Sequence, residues 1–260
     1  MASKVYNSVQ IAFKYAFYFL RAKNCHSVHS PLIFGFCEKV LGKRKEPEHN
    51  EVEKERFKFK HSEQNIDFKD YVKDGHTIKK SVSKIAQRSL KSKKYAKLIS
   101  RSVAYFKSKS ILELGTSLGI TTAYIAKNKE VQVTSLEGDE SVAALAKQTW
   151  QNLSLNNIEQ RIGNFDNTLI PTLKGKTFDF IYIDGNHKLE PTLHYFELCL
   201  AHADAKCILL FDDIHYSKEM EQAWSFIKNH PKVISTIDLF FLGYVFLNYD
   251  ITPKHYTLKF

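Results

Sequence analysis

Three carboxylates and two imidazoles stand in two short clusters. Asp184-Gly185-Asn186-His187 follows the apolar run 178–183, and Asp212-Asp213-Ile214-His215-Tyr216 follows the run 207–211. Each run has the length and composition of a buried strand in a parallel sheet. In such sheets ligands collect beyond the carboxyl ends of the strands. Asp184, Asp212 and Asp213 are therefore expected close together. Like charges at short range are costly unless a cation neutralises them. Carboxylate oxygens suit Mg²⁺, Mn²⁺ or Ca²⁺ better than zinc. His187 stands where an imidazole serves either as a further ligand or as the base that takes a hydroxyl proton. A plainer use is also open: Asp184 touches a bound ligand and Asp213 caps the helix that follows.

A second constellation precedes these. Residues 110–126 read as a strand, a turn bracketed by Gly115 and Gly119, and a helix start. Glycine lets a backbone approach a ligand closely, and a helix start presents unpaired N–H groups. A dinucleotide fold wants Gly-x-Gly-x-x-Gly. Here Ser117 takes the place of the second glycine, and Glu113 stands two residues before the first. A carboxylate there suits a cationic or hydroxyl-bearing ligand better than a pyrophosphate. Roughly 20 residues on, at the end of the next strand, Glu137 is placed to accept hydrogen bonds from both hydroxyls of a ribose. Its neighbour Asp139 fits a helix cap better.

These residues need a parallel sheet to hold them, and the pattern supplies one. Strands are expected at 111–114, 131–136, 158–162, 178–183 and 207–211. Helices are expected at 120–127, 141–153, 191–201 and 219–228, so the two alternate as in an α/β domain. The β-rich runs 233–239 and 242–247 have no helix between them and read as an antiparallel pair. The first part is different. Residues 5–23 are aromatic and basic and read as a helix with a broad apolar face. Packing on the domain is the favoured use of that face; resting on a membrane or docking a partner is the other. Cys25, His26 and His29 invite a metal reading, but their spacing matches no zinc pattern, and a loop before Pro31 fits as well. A helix follows at 32–41. The charge-rich stretch 42–75 reads as a mobile linker or exposed surface element. Helices are expected again at 81–91 and 95–105.

The 260 residues suffice for one large domain with an extension. The net charge of +10 is uneven: residues 1–109 hold 25 Lys and Arg against 10 Asp and Glu, and residues 110–260 hold 13 against 18. A basic first part facing a mildly acidic second part hints at a polyanionic or membrane partner, although a solvated lysine-rich face is the plainer reading. The four cysteines show no Cys-x-x-Cys pair and are read as reduced thiols. The apolar run 11–20 is short and interrupted by Lys14, so no membrane span and no secretory leader is read, and a cytoplasmic location is expected.

Glu113-Leu114-Gly115-Thr116-Ser117-Leu118-Gly119 resembles the first motif of class I methyltransferases that use S-adenosyl-L-methionine (SAM), and the Glu137 element resembles their second. The resemblance covers roughly residues 105–250. It implies a Rossmann-like α/β fold, a mostly parallel seven-stranded sheet ending in an antiparallel hairpin. Here that fold would occupy 106–260, behind a basic helical N-terminal extension over 1–105. It also implies SAM contacts from Glu113, Gly115, Thr116, Ser117, Gly119, Glu137 and Asp184. Gly163-Asn164-Phe165-Asp166 stands where the family often has Gly-Asp-Ala, so Asn164 would reach the adenine amino group and Phe165 would cover the ring. Within the family, the Asp clusters resemble the metal-dependent O-methyltransferases of the catechol and caffeoyl-coenzyme A type. By that resemblance Asp184 and Asp212 match two metal ligands, and Asp213 takes the place of an Asn. His187 stands where the family has its lysine base. The expected activity is methyl transfer from SAM to an oxygen of a small or lipid-like molecule. A nucleic-acid methyltransferase is disfavoured: residues 184–187 read Asp-Gly-Asn-His where such enzymes carry Asn/Asp-Pro-Pro-Tyr/Phe. A non-catalytic SAM-binding or membrane-associated module is the third reading, opposed by the intact acidic set.

Overall fold

The computed structural model describes residues 5–42, 49–69 and 76–260. Its first elements are helix α1 (Ser8–Arg21) and helix α2 (Pro31–Phe36), which runs on into a π turn at Cys37–Leu41. Helix α3 (Asn50–Lys60) and strands β1 (Asn65–Lys69) and β2 (Thr77–Ser81) follow, then helices α4 (Val82–Ser89) and α5 (Lys93–Phe106). Strands and helices then alternate: β3 (Ser110–Leu114), α6 (Ile120–Ala126), β4 (Gln132–Glu137), α7 (Glu140–Asn152), β5 (Ile158–Ile162) and α8 (Phe165–Leu173). The alternation continues through β6 (Phe178–Ile183), α9 (Leu189–Leu200), β7 (Ala203–Asp212) and α10 (Lys218–Lys228). Strands β8 (Ser235–Asp238), β9 (Leu242–Phe246) and β10 (Lys254–Thr257) come last.

The chain divides into two compact units, Lys43–Lys176 and Met1–Gly42 with Thr177–Phe260, a division different from the 1–105 and 106–260 that the resemblance implies. In the Lys43–Lys176 unit, β4 lies between β3 and β5 and is parallel to both. Its register sets Glu113 opposite Ser135 and Glu137 opposite Ile162. The preceding segments build the same unit. Ile66, Val82, Ile85 and Ala86 share a core with Leu118 of the glycine turn and Val142 of α7. The stretch read as a linker is in part ordered structure. In α3, Val52, Glu55 and Arg56 are buried. Tyr124 donates to Glu53 at 2.7 Å, Asn152 donates to Glu55 at 3.2 Å, and Lys127 pairs with Glu51 at 2.6 Å. Strand β1 pairs antiparallel with β2. Residues 43–48 and 70–75, the rest of that charged reading, lie outside the described residues.

In the other unit the strand order is β10-β8-β9-β7-β6. Strands β6 and β7 are parallel, β9 runs antiparallel to both β7 and β8, and β10 is parallel to β8. The expected antiparallel pair is thus β8–β9. Strand β10, which the sequence reading did not place, comes after that pair and brings this unit to five strands among the described residues. Helix α1 begins with a capping box between Asn7 and Gln10. One of its faces packs: Tyr15 and Tyr18 set their rings 5.1 and 5.4 Å from that of Phe240, and Ala22 joins the cluster.

Candidate functional site

In the Lys43–Lys176 unit the turn after β3 carries three left-handed residues, Gly115 (φ 104°), Ser117 (φ 49°) and Gly119 (φ 73°). The glycine at 119 serves packing. A Cβ there would come within 2.6 Å of Trp150 Nε1, which donates to Gly119 O at 2.9 Å. Four amides of the turn have partners within the protein. Leu136 O accepts from both Gly115 N (3.0 Å) and Thr116 N (3.1 Å), Thr116 O accepts from Gly119 N, and Glu137 Oε2 accepts from Ser117 N at 2.7 Å.

Glu113 lies beneath the turn, fully buried, where Thr122 and Ser135 both donate to its Oε2 at 2.5 Å. Thr116 Oγ1 sits 2.5 Å from Ser135 Oγ, so the turn, the acid and β4 form one hydroxyl network. Glu137 is half-buried at the end of β4, and its Oε1 accepts from Asp139 N at 3.1 Å. Burial pushes its carboxyl up to about 7, against the opposing pull of the amides of Asp139 and Ser117. Asp139 caps α7, accepting from Val142 N, and its other oxygen accepts from Lys69 N. Asn164 caps α8 by accepting from Asp166 N at 3.1 Å, and Phe165 is the first residue of that helix. An amide oxygen carries two lone pairs, so the cap leaves one for a donor such as an adenine amino group.

In the other unit the ends of β6 and β7 bring Asp184, His187 and Asp212 together. One ligand atom from each lies within 4.8 Å of the others, and among the described residues no other such group occurs. Tyr182 donates to Asp184 Oδ2 at 2.8 Å, while Oδ1 lies 3.4 Å from His187 Nε2. Asp212 is 1% exposed. Asp213, expected as a third carboxylate ligand, is not in the group; its N–H donates to Phe241 O at 2.7 Å. Asn186, His187 and Asp213 all have left-handed backbones, with φ 62°, 21° and 53°. Each costs about 1–3 kcal/mol and persists where surrounding structure over-determines it, a pattern typical of ligand sites. The donor set of two carboxylates and one imidazole fits a divalent cation.

His215, in the second cluster, has a different role. Its Nε2 lies 2.9 Å from Asp238 and its Nδ1 lies 3.2 Å from Glu221. Burial pushes its pKa down, but the two carboxylates outweigh that and raise it to about 9. Glu221 also accepts from Lys14 and Tyr6; burial pushes its carboxyl up, but His215, Lys14 and Tyr6 outweigh that and hold it at about 2. The sequence offered no signal for this network, because its members are scattered from residue 6 to residue 238.

Residues 112–214 match a family model described as a methyltransferase domain. No curated relative matches the sequence. An O-methyltransferase from Bacillus cereus, solved with S-adenosylhomocysteine, is similar over 61% of this chain and 83% of its own, with 22% identity and a TM-score of 0.54. TomG from Streptomyces achromogenes, an O-methyltransferase of tomaymycin synthesis solved with SAM, is similar over 62% of this chain and 82% of its own, with 17% identity and a TM-score of 0.53. The methyltransferase PaMTH1 of Podospora anserina covers 96% of this chain and 100% of its own, with 14% identity and a TM-score of 0.58. At these identities the shared feature is the fold.

Proposed function

We propose that this protein, a SAM-dependent methyltransferase by its domain at 112–214, methylates an oxygen nucleophile on a small or lipid-like molecule with the help of a divalent cation. The observation that carries the reading is the Asp184–His187–Asp212 group in a chain with that domain. The O-methyltransferases among the similar folds support the choice of oxygen.

SAM, when bound, supplies a methyl group activated on a sulfonium. Asp184 and Asp212 would hold a divalent cation, which would supply positive charge that makes a substrate hydroxyl easier to deprotonate. The chain's own residues do the rest. Glu137 holds the ribose hydroxyls, and Glu113 fixes the turn from below through Thr122 and Ser135. Asn164 and Phe165 receive the adenine. Tyr182 fixes the rotation of Asp184. The buried carboxylate of Asp212 favours a positive partner over water. His187 Nε2 is either the third ligand or the atom that takes the hydroxyl proton, in which case Asp184 Oδ1 steadies the resulting imidazolium.

The test is calorimetric titration with SAM, followed by turnover of a catechol panel with Mg²⁺ and with excess chelator. SAM binding together with metal-dependent turnover supports the reading. Full turnover in chelator removes the cation from it. His187→Ala separates the two roles: a lost ligand weakens Mg²⁺ binding, whereas a lost base removes a titration from the rate profile and leaves Mg²⁺ binding intact.

A further inference from the structure

Helix α1 is packed on one side only. Lys14, Tyr15 and Tyr18 face Glu221 and Phe240, but the opposite arc is apolar and open to solvent. Val9 is 64% exposed, Phe13 66%, Phe17 60% and Leu20 81%. At about 100° per residue these four fall along one stripe, with the small Ala16 between them. A stripe of this size on an otherwise capped and docked helix has no folding purpose.

The exposed charges at its C-terminal end are positive. Residues 1–37 contain four Lys or Arg and no Asp or Glu. Arg21 and Lys23 are exposed just beyond Leu20. The C-terminal segment adds a third cation, because Lys23 exchanges backbone hydrogen bonds with Thr257 and Lys259. The Nζ of Lys259 lies 4.6 Å from the centre of the Phe19 ring. An apolar stripe thus ends in a cationic rim.

We propose that α1 seats the protein on an anionic lipid surface. Val9, Phe13, Phe17 and Leu20 enter the boundary between headgroups and acyl chains, and Arg21, Lys23 and Lys259 meet the lipid phosphates. The helix lies on the bilayer and does not cross it. Its 14 residues span about 21 Å at 1.5 Å each, short of the roughly 30 Å hydrocarbon core. The charge also favours lipid over a second copy of this chain. A parallel two-fold contact through the same stripe would set the cations of one copy beside those of the other, where anionic lipid would neutralise them.

The experiment is co-sedimentation of the full chain with vesicles of phosphatidylcholine, with and without phosphatidylserine, alongside sedimentation velocity without lipid. The expected result is capture by the anionic vesicles only, weakening with salt. Arg21→Gln and Lys23→Gln should each lower partitioning by about fivefold. Phe13→Ser with Phe17→Ser should lower it by more than about tenfold. Both side chains are exposed, so thermal melting should be unchanged; if that double variant misfolds, the charge variants still decide. Capture by neither vesicle type, or equal capture by both, would overturn the proposal. So would a wild-type dimer that the double Ser variant converts to monomer and that ignores vesicles.

Discussion

Replacing Glu137 with Gln should stabilise the protein at alkaline pH while weakening its hold on SAM. Burial raises the Glu137 carboxyl from 4.5 to about 7, so the folded protein binds this proton more tightly than the unfolded chain does. Between those values the folded state carries more protons, and stability falls as pH rises. Above about 7 the ionised carboxylate then costs about 3 kcal/mol relative to a group with no such shift. Gln removes that cost. It keeps one acceptor oxygen for Ser117 N or Asp139 N but turns an NH₂ toward the other, which costs about 1 kcal/mol. The net gain at pH 8 is about 2 kcal/mol, or roughly 4–8 °C in melting temperature for a chain of this size. At pH 4.5 and below the variant should show no gain. A carboxylate serves a diol better than an amide, so calorimetry should show SAM binding weakened by about tenfold or more at pH 8. Wild-type affinity should rise between pH 6 and 8 as the carboxylate ionises. A variant less stable than wild type at pH 8, or wild-type SAM affinity flat across that range, would refute the reasoning.

Other outcomes follow from the same structure. Asp212→Asn should lower turnover by at least about a hundredfold and leave SAM affinity nearly unchanged, as measured by steady-state rates beside calorimetry. Gly119→Ala should destabilise by about 2–4 kcal/mol in a urea melt, since its Cβ meets Trp150 on a left-handed backbone. His215 has a folded pKa raised from 6.5 to about 9, so its contribution is fully present below 6.5 and is lost as pH rises through 9. Melting temperatures at pH 6, 8 and 10 should therefore decline by the equivalent of about 2–3 kcal/mol, a decline that His215→Gln abolishes. The basic first part should show no sequence-preferring RNA binding in a filter assay at physiological salt.

Much of the framework could be read directly from residue order. Periodicity and apolar runs placed 158–162 and 178–183 as they are found, and the absence of a helix near 240 announced the β8–β9 pair. Asp184, Asp212 and His187 were legible because each follows a strand end. Exclusion of Asp213 from that group was not, because it depends on a backbone twist at the strand end. Helix α8 escaped notice: it is short and carries Pro171 inside. Helix α3 was hidden by its charge, since Glu53 and Glu55 are held by Tyr124 and Asn152, residues 71 and 97 positions away. The purpose of Gly119 lies in Trp150, 31 residues on. In each case the deciding partner is distant in sequence, and local pattern carries no trace of it.

The packing of α1 has a consequence for the birth of the chain. The helix has been synthesised by residue 21, but Glu221, which receives Lys14, is 207 residues later, and Leu258, which receives the Tyr18 hydroxyl, is 240 residues later. At ordinary synthesis rates that is a wait of roughly 10–50 s. For that whole interval Tyr15 and Tyr18 lie as bare as Phe13 and Phe17, and the helix is aromatic on nearly every side. Nascent chains stalled before residue 221 should therefore be the ones that hydrophobic-segment chaperones hold, with release once β8 to β10 have been made. The first helix of the sequence is among the last to find its place.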